Sequence, residues 1–473
     1  VDQDERREMI GTGLLAVADK LGGHVWHNAD LLEEINYLVE YPTPLYGRID
    51  DEFLKLPVPA VVTPMRDHQR YYPVRNEDGS LMPYFLTVRN GGTKALENVQ
   101  HGNEKVLRAR LDDAKFFFEN DRKKTLEGHR DDLTRINYQE GMGDMRDKAD
   151  RLQKLTEAIG KDWGFTAEEA ADADRAAFLS KSDLATGMVT EFTELQGEMG
   201  KEYALLDGEK PEVAKAIFEQ YMPRFAGDIL PQQEIGRALS LADKLDNLAA
   251  TFLRGLIPTG SQDPFALRRQ TIGAVNILTD GKIHWDIRRG IEAALALLPG
   301  DEETKKTVLS QIEDFFRQRI KAIMLDEGIA YDIIDAVLAG PVDDIYALFL
   351  KARSMAESQL KDEAELRQAV TRLANITKGK TGGKVDPSLF TEDVEKELQD
   401  AFEAVSAKAL PLFASYEYGK ALPALKELTA PINGYLDNVM VMVDDEAVKN
   451  NRISQLLATL ALFNTWGDFS KLV

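Results

Sequence analysis

The chain has 473 residues, of which 44% are hydrophobic and 29% are charged, a balance that excludes a disordered protein and one embedded in a membrane. Its 80 acidic residues against 58 Lys and Arg give a formal charge of −22, so nucleic-acid binding requires a local basic patch on an acidic body. Cysteine is absent, which excludes disulfides, thiolate metal ligands and cysteine nucleophiles.

The N-terminal quarter mixes helical and strand patterns. Apolar residues at helical spacing predict a first helix over residues 2–20. Short β-rich runs around the turn signal Asp78-Gly79 predict a small antiparallel sheet near residues 58–90. The runs are 60–63, 71–74 and 84–88. After Gly102 the pattern becomes helical, with an apolar stripe at Leu107, Leu111, Ala114 and Phe118.

Helical patterns continue to the C-terminus and predict a mainly α fold. Three further stripes predict core-facing helices: Met188, Phe192, Leu195 and Met199; Ala238, Ala242, Leu245, Ala249 and Phe252; and Ile453, Leu456, Leu460 and Phe463. Helix breakers in 255–264 predict a domain boundary. The glycines and lysines of 379–387 predict an exposed loop.

Eight strings, in this order, carry a resemblance to a known family. They are TPMRDHQRYYPV from Thr63, FLTVRNG from Phe85, NVQHGNEKVLRARLDDAKFFFEND from Asn98, GMGDMRDKADRL from Gly141, KSDLATGMVTEFTELQGEMG from Lys181, LADKLDNL from Leu241, IPTGSQDPFALRRQTIG from Ile257 and PINGYLDNVMVMVDDEAVKNNRISQLL from Pro431. Over almost its whole length, the chain resembles the β subunit of the bacterial two-subunit glycyl-tRNA synthetase.

The resemblance implies a fold and a division of labour. It implies a multidomain, mainly α protein: a tRNA-body-binding-like α+β region at 1–125, a helical HD-like domain at 126–260, a helical linker at 261–339 and an anticodon-binding domain at 340–473. The α subunit of an α2β2 holoenzyme would bind glycine, ATP and magnesium. The β subunit would hold tRNA(Gly) in the cytoplasm, with no catalytic residue, metal or cofactor of its own and no membrane contact. The intact β subunit is expected to begin upstream of Val1.

Two polar clusters in the first region are candidates for tRNA contact. The first comprises Arg66, His68, Gln69, Arg70 and Tyr71, with guanidinium groups for phosphates and an aromatic ring for an unpaired base. The alternative is a polar hairpin face with the tyrosine packed inward. The second comprises Arg89, Asn90, His101, Asn103, Lys105, Arg108 and Arg110, where a loop and a helix start would offer N–H groups to a phosphate. The alternative is a surface ion pair of Glu104 with Arg108.

The HD-like domain poses a separate question, because HD phosphohydrolases hold metal ions through a His, an adjacent His-Asp pair and a distant Asp. Here the pair is replaced by Ser182-Asp183, and only His129 and Asp243 resemble the remaining ligands. Serine is a poor substitute for imidazole, so we predict a degenerate site. Two alternative functions stay open: a metal phosphohydrolase, and an assembly scaffold that binds protein and not RNA.

In the last domain, five polar residues are candidates for contact with the anticodon: Arg367, Arg372, Asn375, Asn451 and Arg452. Glycine anticodons end in two cytosines, which arginine, asparagine and carboxylate groups can all recognise, and Asp444, Asp445 and Glu446 would supply the carboxylates. The alternative is that the acidic run 444–446 caps a helix and the polar residues after it face solvent.

Overall fold

The computed structural model describes residues 2–473, which form two compact units. The first contains the residues up to Met222 together with Pro231–Asp243, and the second contains Pro223–Leu230 and Lys244–Val473. Within the described residues, no helix is both long enough and apolar enough to cross a bilayer.

The first unit joins a small sheet to a set of helices. Its helices are α1 (Gln3–Lys20), α2 (Ala29–Leu38), α3 (Val58–Thr63), α4 (Leu96–Asp121), α5 (Leu126–His129), α6 (Met145–Trp163), α7 (Ala167–Leu179), α8 (Gly187–Glu191), α9 (Glu198–Leu206) and α10 (Pro211–Glu219). Helix α11 (Glu234–Leu253) begins in the first unit and ends in the second.

The sheet is antiparallel and has the strand order β1-β3-β4-β2. Its strands are β1 (His24–Val25), β2 (Pro42–Arg48), β3 (Tyr72–Arg75) and β4 (Leu81–Asn90). One face packs on α1 and α2, where Ile10, Leu14 and Ile35 are buried with Leu86. The predicted small antiparallel element is thus confirmed, and two of its strands precede residue 58.

One predicted strand, 60–63, is wrong, because these residues belong to helix α3. Pro59 lies in its first turn, where a missing N–H costs nothing and the fixed φ favours a helix. Ala60, Val61 and Val62 are all buried. A short apolar run fits either a strand or a buried helix, so the sequence pattern alone does not distinguish the two.

The second unit is helical. Its further helices are α12 (Leu267–Asp280), α13 (Ile287–Ala296), α14 (Glu302–Asp326), α15 (Tyr331–Val337), α16 (Ile345–Glu357), α17 (Ala364–Thr377), α18 (Asp393–Ala414), α19 (Leu422–Lys426), α20 (Thr429–Asn438) and α21 (Glu446–Asn464). The predicted mainly α fold is confirmed. The predicted loop is present: residues 379–386 lie between α17 and a short 3-10 helix, Pro387–Leu389.

Candidate nucleic-acid interface

The first predicted cluster lies on a π-helical turn, Pro64–His68, and the residues that follow it. Tyr71 is buried, with its ring stacked on Phe85 at 4.6 Å between centroids. Burial raises the pKa of Tyr71 to about 12. The ring is therefore part of the core and cannot stack an unpaired base, so the inward-packed alternative is correct for this residue.

The charged members of this cluster are partly exposed and paired with acids. Arg66 Nε donates to Asp67 Oδ1 at 2.7 Å, and Arg70 Nε donates to Glu34 Oε1 at 2.8 Å. His68 Nε2 lies 3.3 Å from Glu194 Oε1, and Gln69 is partly exposed beside it. Exposed pairs of this kind contribute only about 0–1 kcal/mol, so a phosphate can compete for either arginine.

In the second cluster, Arg89 and Asn90 form hydrogen bonds with backbone groups at the end of the sheet. Arg89 Nη1 donates to the Lys94 carbonyl at 2.5 Å. Asn90 Oδ1 accepts from the backbone N–H groups of Glu40 and Tyr41 at 3.0 and 3.2 Å. These contacts fix the loop ahead of β2, so the oxygen of Asn90 is already used within the protein.

The other members of the second cluster lie well inside helix α4. The helix begins at Leu96, so the backbone N–H groups of His101 and the residues after it already bond within the helix. The prediction that a helix start offers N–H groups here is therefore wrong, and only side chains are available. Asn103 is partly exposed, His101 is exposed, and Arg110 pairs weakly with Glu191 at 4.0 Å.

Beside α4 is a surface cavity of about 350 Å³. Its polar lining consists of Arg48, Asp50, His101, Glu104, Lys105 and Arg108. Arg108 pairs with Asp50, and Arg48 Nη2 donates to Asp51 at 3.1 Å. The lining thus has three basic side chains and a histidine against two carboxylates. The cavity is therefore less acidic than the chain as a whole, as phosphate contact requires.

The three HD-like positions are buried and hydrogen-bonded within the helical part of the first unit. His129 Nε2 lies 2.9 Å from the Asp121 carbonyl. Asp183 accepts from the Gly197 N–H at 2.7 Å and from the Tyr221 hydroxyl at 2.9 Å. Burial raises the pKa of Asp183 above its usual value. Asp183 is thus a polar core group that holds the start of α9.

Asp243 lies between two lysines. Its carboxylate is 3.0 Å from Lys148 Nζ and 2.8 Å from Lys181 Nζ, and all three side chains are nearly buried. Burial lowers the pKa of Lys181, and Asp243 opposes that change. Two ammonium groups at one carboxylate repel a divalent cation, so this arrangement disfavours metal binding there.

The sequence predictions include Lys105, but they do not include Lys148 and Lys181, nor Arg48 beside the cavity. Lys148 had a usable signal, because it shares the apolar face of α6 with Met145, Ala149 and Leu152. Lys181 had none, since its position depends on a left-handed backbone with φ of 67° at a non-glycine residue.

In the second unit, two of the five anticodon candidates are structural. Arg452 is buried, and its Nε donates to Glu395 Oε1 at 3.0 Å. Asn451 is buried too, and it exchanges two hydrogen bonds with the backbone of Asp386 at 2.7 and 2.9 Å. Because these groups are used inside the protein, neither residue is available to an anticodon.

The other three candidates lie on α17. Arg372 is exposed, and it donates to Asn433 Oδ1 at 3.0 Å and to Asp437 Oδ1 at 2.6 Å. Asn375 is exposed one turn later. Arg367 is partly buried and donates to the Lys361 carbonyl at 3.0 Å. Arg372 and Asn375 therefore face solvent, whereas Arg367 ties α17 to the segment ahead of it.

Family models match most of the chain. The model described as "Glycyl-tRNA synthetase beta subunit" matches residues 1–339, and the model described as "DALR anticodon binding domain" matches residues 366–467. The second match contains Arg372 and Asn375, together with the loop from 379 to 386.

Curated relatives with the name "Glycine--tRNA ligase beta subunit" align along the whole chain. The Clostridioides difficile protein is 46% identical over 474 residues, the Desulforamulus reducens protein 42% over 477 and the Halalkalibacterium halodurans protein 40% over 477. Each alignment covers 100% of this chain and 69% of the relative. Identities of 40–46% over the whole chain indicate common descent and a shared fold. The chain therefore belongs to the glycyl-tRNA synthetase beta subunit family.

Proposed function

We propose that this chain binds tRNA(Gly) as the non-catalytic β subunit of a glycine-tRNA ligase. The observation that carries the proposal is the match of residues 366–467 to an anticodon-binding domain within a beta subunit of this ligase. The exposed polar side chains of α17, Arg372 and Asn375, give that domain groups that can contact an anticodon loop.

The partner is a separate α subunit, in an α2β2 enzyme of the cytoplasm. That subunit binds glycine, ATP and magnesium, and the present chain places the terminal adenosine of the tRNA at its active site. Its contribution to the rate is positional, since holding two reactants in the right geometry removes much of the entropic part of the barrier.

Four regions divide this work. Residues 1–125 contact the tRNA body through the cavity beside α4, where Arg48, Lys105 and Arg108 lie. Residues 126–260 form an HD-like scaffold, 261–339 a linker and 340–473 the anticodon-binding domain. The lysine pair at Asp243 supports a scaffold over a metal phosphohydrolase.

The test is binding of the chain to a tRNA(Gly) transcript across a salt series from 50 to 300 mM, about the range in which phosphate contacts weaken measurably. The proposal predicts an affinity that falls linearly with the logarithm of salt concentration, and weaker binding of a tRNA with a different anticodon. An assembly scaffold predicts no binding of either tRNA, even at the lowest salt, and that result would overturn the proposal.

A further inference from the structure

The segment that joins α20 to α21 has an alternating pattern of burial. Val439 and Val441 are 7% and 4% exposed, whereas Met440 and Met442 are 73% and 53% exposed. The segment is extended at Val439 and bends at Val441 and Met442, and its side chains alternate between the core and the solvent. The two methionines, which we call the methionine platform, therefore extend into solvent from a segment whose other face is packed.

A buried ion pair forms a hydrogen bond with the backbone of the platform. Arg452 Nη1 donates to the Met440 carbonyl at 2.8 Å, and the same guanidinium pairs with Glu395. Glu395 Oε2 also accepts from the backbone N–H groups of Thr391 and Glu392, at 2.8 Å each. The segment is thus hydrogen-bonded at Met440 to Arg452 of α21, which in turn pairs with Glu395 of α18.

A lysine-bearing loop lies beside the platform. Lys380 Nζ lies 3.6 Å from the sulfur of Met442. Lys378 and Lys384 are exposed on the same loop, which is attached to α21 by the bond from the Gly383 N–H to Ser454 Oγ at 2.8 Å. On the other side, Arg372 of α17 reaches Asp437 at the end of α20.

We propose that the methionine platform stacks the unpaired bases of the anticodon, an inference that rests on the proposed function. Thioethers are soft and polarisable and make favourable contacts with aromatic rings. Lys378, Lys380 and Lys384 supply the positive charge that the adjoining phosphates need. Asp444, exposed two residues after Met442, can accept from the exocyclic amine of cytosine.

The lysines of the loop beside the platform favour RNA over a protein partner. Protein interfaces are enriched in methionine but depleted in lysine, so the preference for RNA comes from Lys380, which contacts Met442, and from Lys378 and Lys384, which are exposed on the same loop. Single-stranded nucleic-acid sites combine a positive groove with aromatic side chains on which bases stack, and here the thioethers would take the place of those aromatic side chains. The platform also lies inside residues 366–467, which match the anticodon-binding model.

The experiment is a double-mutant cycle between protein and RNA. The full chain and its variant with Met440→Ala and Met442→Ala are titrated with tRNA(Gly) and with tRNA(Gly) whose two anticodon cytosines lack their bases. The unchanged chain should bind the intact tRNA about tenfold more tightly than the abasic one, and the variant should bind both alike. Replacement of both methionines by leucine, which keeps apolar bulk, should retain most of the preference.

Leu410→Ala is the matched control, because Leu410 is 50% exposed in the same domain. It lies fifteen residues along α18 from Glu395, or about 22 Å. This variant should keep the full preference, and equal thermal midpoints should exclude misfolding. If the variant with both alanines keeps the preference for intact over abasic tRNA, the proposed role of the methionine platform is overturned and the proposed function stands. If the unchanged chain has no preference, the anticodon contact of the proposed function is overturned as well.

Discussion

At the scale of single residues, Arg452 shows how much a side chain's role depends on its environment. It follows two asparagines in a polar run, as an RNA-binding arginine would. In the structure it is buried against Glu395, which is itself fully buried. Arg372, which the sequence placed in the same class, is exposed and pairs with exposed Asp437. The two arginines differ in burial, and the local sequence around them does not reveal that difference.

Arg452→Ala should lower the free energy of unfolding by about 3–5 kcal/mol, because it leaves the Glu395 carboxylate buried without its partner. Urea unfolding of the two proteins measures the difference. Arg372→Ala is the control, and it should cost less than about 1 kcal/mol, since its pair is solvent-exposed. Equal costs for the two variants would contradict the structural assignment.

The same pair predicts a pH dependence. Burial raises the pKa of Glu395, but hydrogen bonds from Arg452 and from two backbone N–H groups outweigh it and hold the pKa below 4.5. A carboxylate with a lowered folded pKa stabilises the protein above its unfolded pKa, and that stabilisation is lost as pH falls through the folded value.

The stability difference between the unchanged chain and Glu395→Gln should therefore be full at pH 6 and should shrink below about pH 4.5. Urea unfolding at pH 6, 5 and 4 tests this. A difference that stays constant, or that grows as the pH falls, would show that the carboxylate is not stabilised in its charged form.

At the scale of elements, the spacing of apolar residues predicted which side chains are buried better than it predicted whether one unbroken helix carries them. Met188, Phe192, Leu195 and Met199 are all buried as expected, yet the single helix expected over them is wrong. Helix α8 ends at Glu191, and α9 begins only at Glu198. Gly197 has φ of 83° and breaks the helical geometry, and Asp183 accepts its N–H. Such a break depends on a contact from elsewhere in the chain, so the local pattern could not reveal it.

Asp121 at the end of α4 gives an element-scale prediction. Its carboxylate accepts from the N–H groups of Gly187 and Met188 at 2.7 and 2.9 Å, and from the Tyr203 hydroxyl at 2.7 Å. Asp121→Ala should cost about 3 kcal/mol in thermal or urea unfolding, because it leaves buried donors unsatisfied at the start of α8.

Tyr203→Phe removes only one of these three bonds and should cost about 1 kcal/mol. A loss for Asp121→Ala no larger than the loss for Tyr203→Phe would contradict the view that this carboxylate joins α4 to α8 and α9.

At the scale of the whole molecule, the family resemblance was predictable because long strings keep their order along the chain, and the family models and curated relatives confirm it. The sites were less predictable. An acidic chain must concentrate any basic patch locally, and such a patch can form from separate segments, as Arg48 and Arg108 do beside the α4 cavity. Arg108 was predicted because it is close in sequence to other polar candidates, whereas Arg48 is distant in sequence and was not predicted.

The central claim is that this chain holds tRNA and leaves amino-acid activation to its partner. The measurement is made on the complex with the catalytic subunit, with Lys378→Glu and Lys384→Glu together in this chain. We predict that kcat/KM for tRNA(Gly) falls at least about tenfold, because the substitutions reverse two charges that we propose to contact phosphates. Glycine-dependent exchange of pyrophosphate into ATP should stay unchanged. Loss of exchange in parallel, or unchanged charging of tRNA, would contradict the account.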